Sequence, residues 1–394
     1  MARARIAVVS PFLDKRHGTE LCTCELIERL AGEFEFHLYS QRVEDLDLSR
    51  VVWHRVPDVP GPHLVKYLWW FLANHLWRWW DVWVGGQRFD LVFSPGVNCL
   101  DADVAIVHVL FSVVREKLAG SDRLVGYPLR NWPRLIHRRA YYRLLSVLER
   151  RVFGNHRILL GAVSRLTAEE VARRFRRAEL PCVFYGGVDG AQFRPTRRQA
   201  LRPAARRELQ LAPEVFAVLL IGNDWRQKGL PVLLEAVSQL GEERVCVLAV
   251  GSDDPELCRE VIARHRLDDR VRFLPLRPDV EFYYAAADAY AGPSLEDAFA
   301  RPPAEAMACG LPVIVSSQAG VSEIVTHGED GLILQDPRNA EELAGLLRRL
   351  LADPEFARRL GEHAAQKAAQ LTWEADAAAK RTMFCSVLAK REPS

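Results

Sequence analysis

One segment of the 394-residue chain, 292–310 with the sequence GPSLEDAFARPPAEAMACG, constrains the fold more than any other. Short apolar runs at 286–291 and 312–316 flank it, and both predict strands. Two adjacent prolines can occupy the first turn of a helix, and Gly310 is a typical residue to end one. The segment therefore predicts a strand, a loop, a helix and a second strand, which is the repeating unit of a parallel α/β sheet.

Two acidic residues, Asp297 and Glu305, stand in this segment. In parallel α/β sheets, ligands bind at the carboxyl ends of the strands, where a helix N-terminus can hold an anion. Carboxylates beside an anion site suit a ligand that carries both phosphate and hydroxyl groups. A nucleotide sugar is a ligand of that kind.

The rest of the chain repeats the alternation of strands and helices. Further strands are predicted at 5–10, 35–39, 91–94, 104–109, 158–163, 216–221, 245–250, 271–274, 288–291 and 313–315. Alternation of this kind indicates an α/β fold with parallel sheets and right-handed crossovers. A length of 394 residues suits two domains.

The segment 292–310 resembles the signature of the large glycosyltransferase family 4-like group of retaining glycosyltransferases, PSxxEGFGxxxxEAMAxG. The matching residues are Pro293, Ser294, Phe299, Glu305, Ala306, Met307, Ala308 and Gly310. The chain departs from the pattern at Asp297, which replaces Glu, and at Ala298 and Ala300, which replace glycines. Glu296 is an alternative for the first acidic position.

This resemblance implies the GT-B architecture, in which two Rossmann-like domains with parallel sheets face each other across a central cleft. We accordingly predict an N-terminal acceptor domain at 1–195 and a C-terminal nucleotide-sugar donor domain at 196–372. A last helix at 373–394 is expected to cross back to the first domain.

The resemblance also implies how the donor is held. In the segment 222–229, GNDWRQKG, Lys228 matches a family lysine that neutralises the diphosphate. Asn223 stands where many members have arginine, so Arg226 is the candidate for the second cation. A solvated basic turn is the alternative interpretation of these residues.

Glu305 matches the family glutamate that binds the ribose hydroxyls, and Asp297 matches the acid that contacts the donor sugar. In the family, Phe299 and its neighbours, here Ala300 and Arg301, present backbone N–H groups to the sugar. Because alanine avoids the conformations that glycine allows, we expect ordinary backbone angles at 298 and 300. For both acids the alternative is a carboxylate that merely favours the helix N-terminus.

Other loops are implied more weakly. Gly320 matches a loop whose amides approach the diphosphate. In the first domain, Gly18 can bring the backbone close to a phosphate or acceptor. His108 resembles a family histidine that faces the donor sugar, although a histidine ending an apolar strand is as often structural. The predicted catalytic residues are thus Asp297, His108, Lys228 and Arg226.

No cofactor other than the nucleotide-sugar co-substrate is expected. The strand at 5–10 is not followed by GxGxxG, which argues against a dinucleotide. Asp101 and Asp103 form a DxD pair, a metal motif of the other main glycosyltransferase fold. In a chain with two Rossmann-like domains, lysine, arginine and helix dipoles can replace the metal.

Composition narrows the remaining function classes. Hydrophobic residues make up 49% and charged residues 26%, as in soluble globular proteins. A net charge of +2 gives no general reason to expect nucleic acid. The eight cysteines form no paired framework and predict buried, reduced thiols in a cytoplasmic protein. The N-terminus lacks the apolar core of a signal peptide.

Two segments bear on a membrane. Residues 63–84 hold six of the ten tryptophans, but polar residues interrupt them, so no span of about 18 apolar residues exists. Residues 130–157 carry eight arginines and one acid, Glu149. Peripheral contact with the cytoplasmic face of a membrane is one interpretation. An aromatic helix packed on its own sheet, beside an exposed basic helix, is the other.

The sequence thus predicts a retaining glycosyltransferase that moves a hexosyl unit from a UDP- or GDP-sugar to a glycan, lipid-linked or small-molecule acceptor, as in polysaccharide biosynthesis. A nucleotide-sugar epimerase of the same fold is one alternative. A homologue that binds the nucleotide sugar without catalysis is another, because the chain departs from the family pattern at 297, 298 and 300.

Overall fold

A computed structural model describes residues 3–121 and 132–391 of the chain. They form two compact units, Met1–Phe184 with Glu374–Ser394, and Tyr185–Trp373. Each unit has its own parallel sheet, so the predicted α/β class with two parallel sheets is confirmed.

The first unit is built on seven parallel strands in the order β5-β3-β1-β6-β7-β8-β9, with a separate parallel pair of β2 and β4. Its strands are Arg5–Val9 (β1), Phe12–Leu13 (β2), Glu35–Ser40 (β3), Arg42–Val43 (β4), Val52–Arg55 (β5), Leu91–Ser94 (β6), Val104–Val107 (β7), Leu159–Ala162 (β8) and Cys182–Val183 (β9). Its helices are Gly18–Leu30 (α1), His63–Trp83 (α2), Phe111–Ser121 (α3), Trp132–Phe153 (α4) and Arg165–Phe175 (α5).

The second unit is built on six parallel strands in the order β12-β11-β10-β13-β14-β15. These strands are Phe216–Ile221 (β10), Val245–Val250 (β11), Val271–Leu274 (β12), Ala289–Gly292 (β13), Val313–Ser316 (β14) and Leu332–Leu334 (β15). Its helices are Pro195–Glu208 (α6), Leu230–Gln239 (α7), Arg259–His265 (α8), Glu281–Ala286 (α9), Arg301–Ala308 (α10), Ala340–Ala352 (α11) and Pro354–Ala368 (α12).

Apolar side chains on the central strands explain why the sheets form. Residues of β10 and β11 are almost all buried, as expected for strands covered by helices on both faces. In the second unit, Leu233, Leu234 and Leu347 pack with these strands in one core. The first unit has an apolar core on each face of its sheet.

The last helix, Trp373–Ala389 (α13), packs in the first unit. Its residues Ala377, Met383 and Phe384 are buried in the core that contains β1 and β6. The Arg29 guanidinium lies 2.9 Å from the Glu374 carboxylate and fixes the start of the helix.

The first unit ends at Phe184, ahead of the predicted boundary at 195. The segment from Tyr185 onward is bound to the second unit instead. The N–H of Val188 donates to the carbonyl oxygen of Leu371 at 2.7 Å, and the Gln192 amide donates to the Glu281 carboxylate at 2.8 Å. These hydrogen bonds explain why the segment from Tyr185 onward belongs to the second unit.

Candidate functional site

The sheet of the second unit reverses its strand order between β10 and β13. Counted along the chain, its six strands lie in the order 3-2-1-4-5-6, and β10 pairs directly with β13. In such sheets the loops that leave the two strands at this point diverge and leave a crevice where ligands bind. The loops in question are 222–229 after β10 and 293–300 after β13. They are the two segments that the sequence predicts to hold the donor.

The loop after β10 is drawn close to the loop after β13. Gly229 has a φ of 77°, and an added Cβ would overlap the carbonyl oxygen of Pro293. The N–H of Leu295 donates to the carbonyl oxygen of Gln227 at 2.8 Å. The glycine before α7 is therefore required by a close backbone approach, which fixes the distance between the two loops.

This approach brings Lys228 and Asp297 together. The Lys228 ammonium donates to the Asp297 carboxylate in an ion pair that joins the two loops. The two side chains are 26% and 16% exposed, so a ligand can reach both. Two predicted catalytic residues thus form one charge pair where the strand order of the sheet reverses, between β10 and β13.

The loop after β14 supports Asp297 from the other side. The N–H of Asp297 donates to the carbonyl oxygen of Gln318 at 3.1 Å, and the N–H of Gly320 donates to the carbonyl oxygen of Asp297 at 3.0 Å. The N–H of Phe299 donates to Oδ1 of Asp297 at 3.3 Å. In this structure the N–H groups of Gly320 and Phe299 hold the acidic loop, whereas the family resemblance implies that they face the ligand.

The backbone at Ala300 contradicts the expectation of ordinary angles. Ala300 has a φ of 66° and a ψ of 89°, in the left-handed region that favours glycine. It stands directly before α10 and is buried. The neighbouring Phe299 carbonyl accepts the N–H of Val321 at 2.7 Å. The loop thus keeps the conformation that a glycine would take, although the residue has changed. Ala298 has no positive φ.

Glu305 lies in the second turn of α10 and is held by a buried tyrosine. The hydroxyl of Tyr284 donates to Oε2 of Glu305 at 2.8 Å. Arg301, the first residue of α10, places Nη2 at 3.6 Å from Oε1 of Glu305 and stacks on the ring of Trp373. Burial raises the pKa of Tyr284, and the Glu305 carboxylate raises it further, so the tyrosine stays a hydrogen-bond donor. The carboxylate is therefore oriented before any ligand arrives.

Asn223 and Arg226 lie in the same loop as Lys228 but act differently. Oδ1 of Asn223 accepts the N–H of Ser252 at 3.0 Å, which ties the loop to the end of β11. The Arg226 side chain is exposed and forms no ion pair within the described part of the chain. Asn223 thus supports the loop, while Arg226 is available to a ligand.

In the first unit, the predicted residues also lie at the carboxyl ends of strands. Gly18 begins α1 after the loop that follows β1, and His108 directly follows β7 and is half-buried. Strand β6 separates β1 from β7 in the sheet. Their positions at the strand ends do not by themselves assign either residue a role in catalysis.

The loop before Gly18 contains a histidine that a carboxylate orients. Nδ1 of His17 lies 2.9 Å from Oδ1 of Asp14, and the same oxygen accepts the N–H of His17 at 3.0 Å. Asp14 is buried, whereas the His17 ring is 67% exposed. Sequence reasoning missed this pair, and the DxxH spacing in the first loop is the signal that could have found it.

The DxD pair has structural partners. The Arg78 guanidinium donates to both Asp101 carboxylate oxygens, at 2.7 and 2.8 Å. Oδ2 of Asp103 accepts the N–H of Val92 at 2.8 Å. Within the described residues, no cluster of three or more histidine, cysteine or acidic side chains is arranged to hold a metal.

Comparisons with known proteins bear on the family and the fold. The family model described as "Glycosyl transferases group 1" matches residues 202–367, which contain all the loops described above for the second unit. The resemblance that the sequence indicates is thereby confirmed.

Among curated proteins, a D-inositol 3-phosphate glycosyltransferase of Streptomyces bingchenggensis (strain BCW-1) is 32% identical over 259 residues. The match covers 60% of this chain and 56% of that protein. The chain spans about half the length of the curated relatives it matches.

Two solved structures resemble the whole chain. Sucrose-phosphate synthase from Thermosynechococcus elongatus matches with a TM-score of 0.76 at 22% identity, over 98% of this chain and 100% of that one. The HepE protein of Anabaena, solved in complex with UDP and glucose, matches with a TM-score of 0.69 at 21% identity and the same coverage. At these identities the likeness shows the fold, which is GT-B.

Proposed function

Because residues 202–367 of this chain belong to the group 1 glycosyl transferases, we propose that it transfers a sugar from a nucleoside diphosphate sugar to a hydroxyl group of an acceptor. The donor is a UDP- or GDP-sugar and the acceptor a glycan, a lipid-linked saccharide or a small molecule. By the family resemblance, the anomeric configuration is retained.

One observation carries this proposal, the ion pair of Lys228 and Asp297 where β10 and β13 adjoin. The two charges satisfy each other in the absence of a ligand. A diphosphate beside the start of α7 competes for the ammonium and leaves the carboxylate to accept sugar hydroxyls. When a nucleotide sugar binds, the Lys228–Asp297 ion pair therefore opens, so that Lys228 binds the diphosphate and Asp297 binds the sugar.

The same two loops supply what the reaction needs electrostatically. When the bond between the anomeric carbon and the phosphate oxygen breaks, its electron pair leaves with the diphosphate. Lys228 and the exposed Arg226 neutralise that growing negative charge, which is where a charged group lowers the barrier most. These cations make an obligatory metal ion unnecessary in our proposal.

In this proposal Glu305 binds the ribose of the nucleoside. A carboxylate can accept two hydroxyl donors at once, as a ribose presents them. The hydrogen bond from Tyr284 occupies one position on Oε2 and fixes the rotamer. Oε1 and the remaining position on Oε2 are left to the ribose.

A binding screen tests the proposal. UDP-, GDP- and ADP-sugars are added to the full chain, and binding is measured by calorimetry and by the shift in thermal unfolding. We expect one base to bind with micromolar affinity, and UDP is the first choice because the Anabaena neighbour was solved with it. Lys228→Ala should lose this binding while Lys367→Ala, a lysine substitution on α12, keeps it. Equal binding by both variants would contradict the assignment of the diphosphate.

The alternatives are separated by product analysis. Incubation with donor alone, followed by NMR of the sugar, reveals an epimerase because that activity needs no acceptor. Tight binding without hydrolysis, epimerisation or transfer to any acceptor identifies a homologue that only binds. The anomeric proton coupling of a transferred sugar tests retention.

A further inference from the structure

Helix α2 has apolar side chains on two of its faces, and one of these faces is left exposed by the residues that the structure describes. Its inner face buries Trp70, Phe71 and Ala73 against the sheet. Its outer face exposes Val65, Leu68, Leu72, Leu76, Trp79, Trp80 and Trp83. The helix of a globular protein normally turns its apolar face to the core and a polar face to solvent. The outer face of α2 is therefore open to a partner, since none of the residues described at 3–121 and 132–391 covers it.

The exposed residues form one continuous stripe. Positions 65, 68, 72, 76, 79 and 83 are spaced by three or four residues, so they share one face of the helix. The helix has 21 residues, which corresponds to a length of about 30 Å. Leu72 and Leu76 are 60% and 57% exposed, and Trp83 is 74% exposed. A stripe of this size is an interaction surface rather than scattered surface residues.

A second helix beside α2 adds positive charge on the same side of the sheet. Helices α2 and α4 both pack on one face of the sheet, and the rings of Tyr67 and Tyr141 meet edge to face at 5.8 Å. Along α4, the exposed residues Ile136, Arg139, Arg143, Val147 and Arg150 share one outward face by the same spacing. Arginines thus alternate with apolar side chains next to the α2 stripe.

The only acid of α4 is turned away from this face. Glu149 is fully buried, and its carboxylate accepts the N–H of Ser112 at 2.8 Å at the start of α3. Glu149 is thus the one acidic residue in a helix that contains six arginines, and it does not lie on the outward face. The outward side of α2 and α4 is apolar, rich in tryptophan and positively charged.

We propose that this side of the first unit docks on the surface of an anionic lipid bilayer. The α2 stripe would lie in the plane of the interface, with Leu72 and Leu76 in the acyl boundary and Trp79, Trp80 and Trp83 at the level of the headgroups. The arginines of α4 would contact the phosphates of anionic lipids. Among the described residues no helix is long and apolar enough to cross the bilayer, so the contact is with one leaflet.

Charge favours the bilayer over a second copy of the chain. If two α2 stripes packed on each other, both α4 helices would come close together, and the outward-facing Arg139, Arg143 and Arg150 of the two copies would repel one another across the interface. An anionic surface instead satisfies the apolar stripe and the arginines together. The inference concerns the first unit and does not rest on the proposed donor site.

Vesicle flotation tests the inference with the full chain. We expect binding to vesicles of phosphatidylcholine and phosphatidylglycerol at a 1:1 ratio, and weak binding to phosphatidylcholine alone. The double variant Leu72→Gln/Trp83→Gln should lose at least tenfold in partition, while Leu180→Gln, an exposed leucine outside the helix, should not change it. Arg143→Gln should weaken binding to the anionic vesicles about fivefold, and Arg50→Gln should leave it unchanged.

Folding and self-association are checked on the same samples. All five substituted positions are exposed, so circular dichroism and the thermal unfolding midpoint should match those of the wild type. Absence of wild-type binding to both vesicles, or equal binding to both, would overturn the inference. A dimer in light scattering that Leu72→Gln/Trp83→Gln dissociates would also overturn it, because the stripe would then be an interface between copies.

Discussion

The hydroxyl of Tyr284 donates a hydrogen bond of 2.8 Å to the Glu305 carboxylate across two helices of the second unit. Tyr284 is completely buried in α9, and its hydroxyl also lies 3.2 Å from the carbonyl oxygen of Pro302. The carboxylate therefore has a fixed orientation that is set from the interior of the unit.

Replacing this tyrosine should show how much the fixed orientation of the Glu305 carboxylate contributes to nucleotide binding. We expect Tyr284→Phe to weaken binding of the nucleotide about tenfold, which corresponds to about 1.4 kcal/mol. The reason is that Glu305 loses the donor that fixes its rotamer, although it keeps its charge. Calorimetry with the nucleotide identified in the donor screen measures the change. Tyr283→Phe, which removes a hydroxyl bound to the carbonyl oxygen of Pro275, is the control and should bind normally. Equal affinities of the two variants would contradict the assigned role.

Asp297→Asn should affect binding and transfer in opposite directions. The substitution frees the Lys228 ammonium from its partner, so the free nucleoside diphosphate should bind at least as tightly as it does to the wild type. Sugar transfer should fall by about 10² to 10³, the usual effect of losing one charged group at a reacting centre. Because both side chains are partly exposed, the free energy of unfolding should change by at most about 1 kcal/mol. Titration with the nucleotide and a transfer assay measure both quantities. If Asp297→Asn bound the nucleotide as weakly as Lys228→Ala does, the proposal that the diphosphate replaces Asp297 as the partner of Lys228 would be wrong.

Ala300→Gly should stabilise the protein. A left-handed backbone costs an L-residue about 1–2 kcal/mol, and glycine adopts it without that cost. The greater entropy of glycine in the unfolded chain removes part of the gain, so we expect about 0.5–1 kcal/mol. Ala298→Gly is the matched control, since residue 298 has no positive φ and the same exchange should destabilise there. Urea unfolding of both variants measures the difference. If Ala300→Gly lowered the free energy of unfolding, the packing of the alanine methyl group would contribute more stability than the left-handed backbone costs.

Gly229→Ala should unfold or strongly loosen the site. The added methyl group would overlap the carbonyl oxygen of Pro293 in addition to straining a residue with a φ of 77°. We expect a loss of about 3 kcal/mol or more. Gly328→Ala shares the positive φ, 81°, but its methyl group would meet no atom within 4 Å, and it should cost about 1 kcal/mol. Thermal unfolding of both variants compares the cost of backbone strain alone, in Gly328→Ala, with the cost of strain and atomic overlap together, in Gly229→Ala. Equal losses would show that the loop after β13 can move away.

The stability of the first unit should decrease in mild acid. Burial lowers the pKa of His75 below its ordinary value of 6.5, and the nearby Arg78 lowers it further, against the Phe71 carbonyl and Asp101. Nδ1 of His75 lies 2.6 Å from the Phe71 carbonyl oxygen and Nε2 accepts the N–H of Leu100 at 3.2 Å, which suits the neutral ring. Below pH 6.5 the unfolded chain therefore takes up the proton first, and the free energy of unfolding decreases as the pH falls.

His75→Gln should reduce this decrease between pH 7 and pH 5, as measured by urea unfolding at each pH. Some of the slope should remain because burial also lowers the pKa of His54. His63→Gln, an exposed histidine at the start of the same helix, should leave the slope unchanged. A slope that His75→Gln does not alter would assign the acid sensitivity to other groups.

The strands that position the site could be predicted from the sequence because they are long and uniformly apolar. Both β10 and β11 are six-residue runs that are buried on both faces, and their bounds follow directly from the sequence. Strands β2, β4 and β9 have two residues each, too few to show a period. Their existence depends on neighbours that only the folded chain brings near.

Two features of the site could not be predicted because tertiary contacts decide them. Local preference assigns Ala300 an ordinary φ, but hydrogen bonds from the loop after β14 hold the backbone of 297–299 and impose the left-handed form. Tyr284 lies 21 residues before Glu305 and belongs to a six-residue helix with no motif. In contrast, the family pattern pointed to both Lys228 and Asp297, two residues that the structure brings into contact.

Lys228 and Asp297 are 69 residues apart in the sequence, and the pairing of β10 with β13 brings the loops that carry them together. A nascent chain that ends before residue 297 cannot contain the site, and a fragment that carries either loop alone has half of it. Nucleotide binding should therefore serve as a probe of native strand order: during refolding it should appear only when the sheet is complete, later than the helical signal of the same unit.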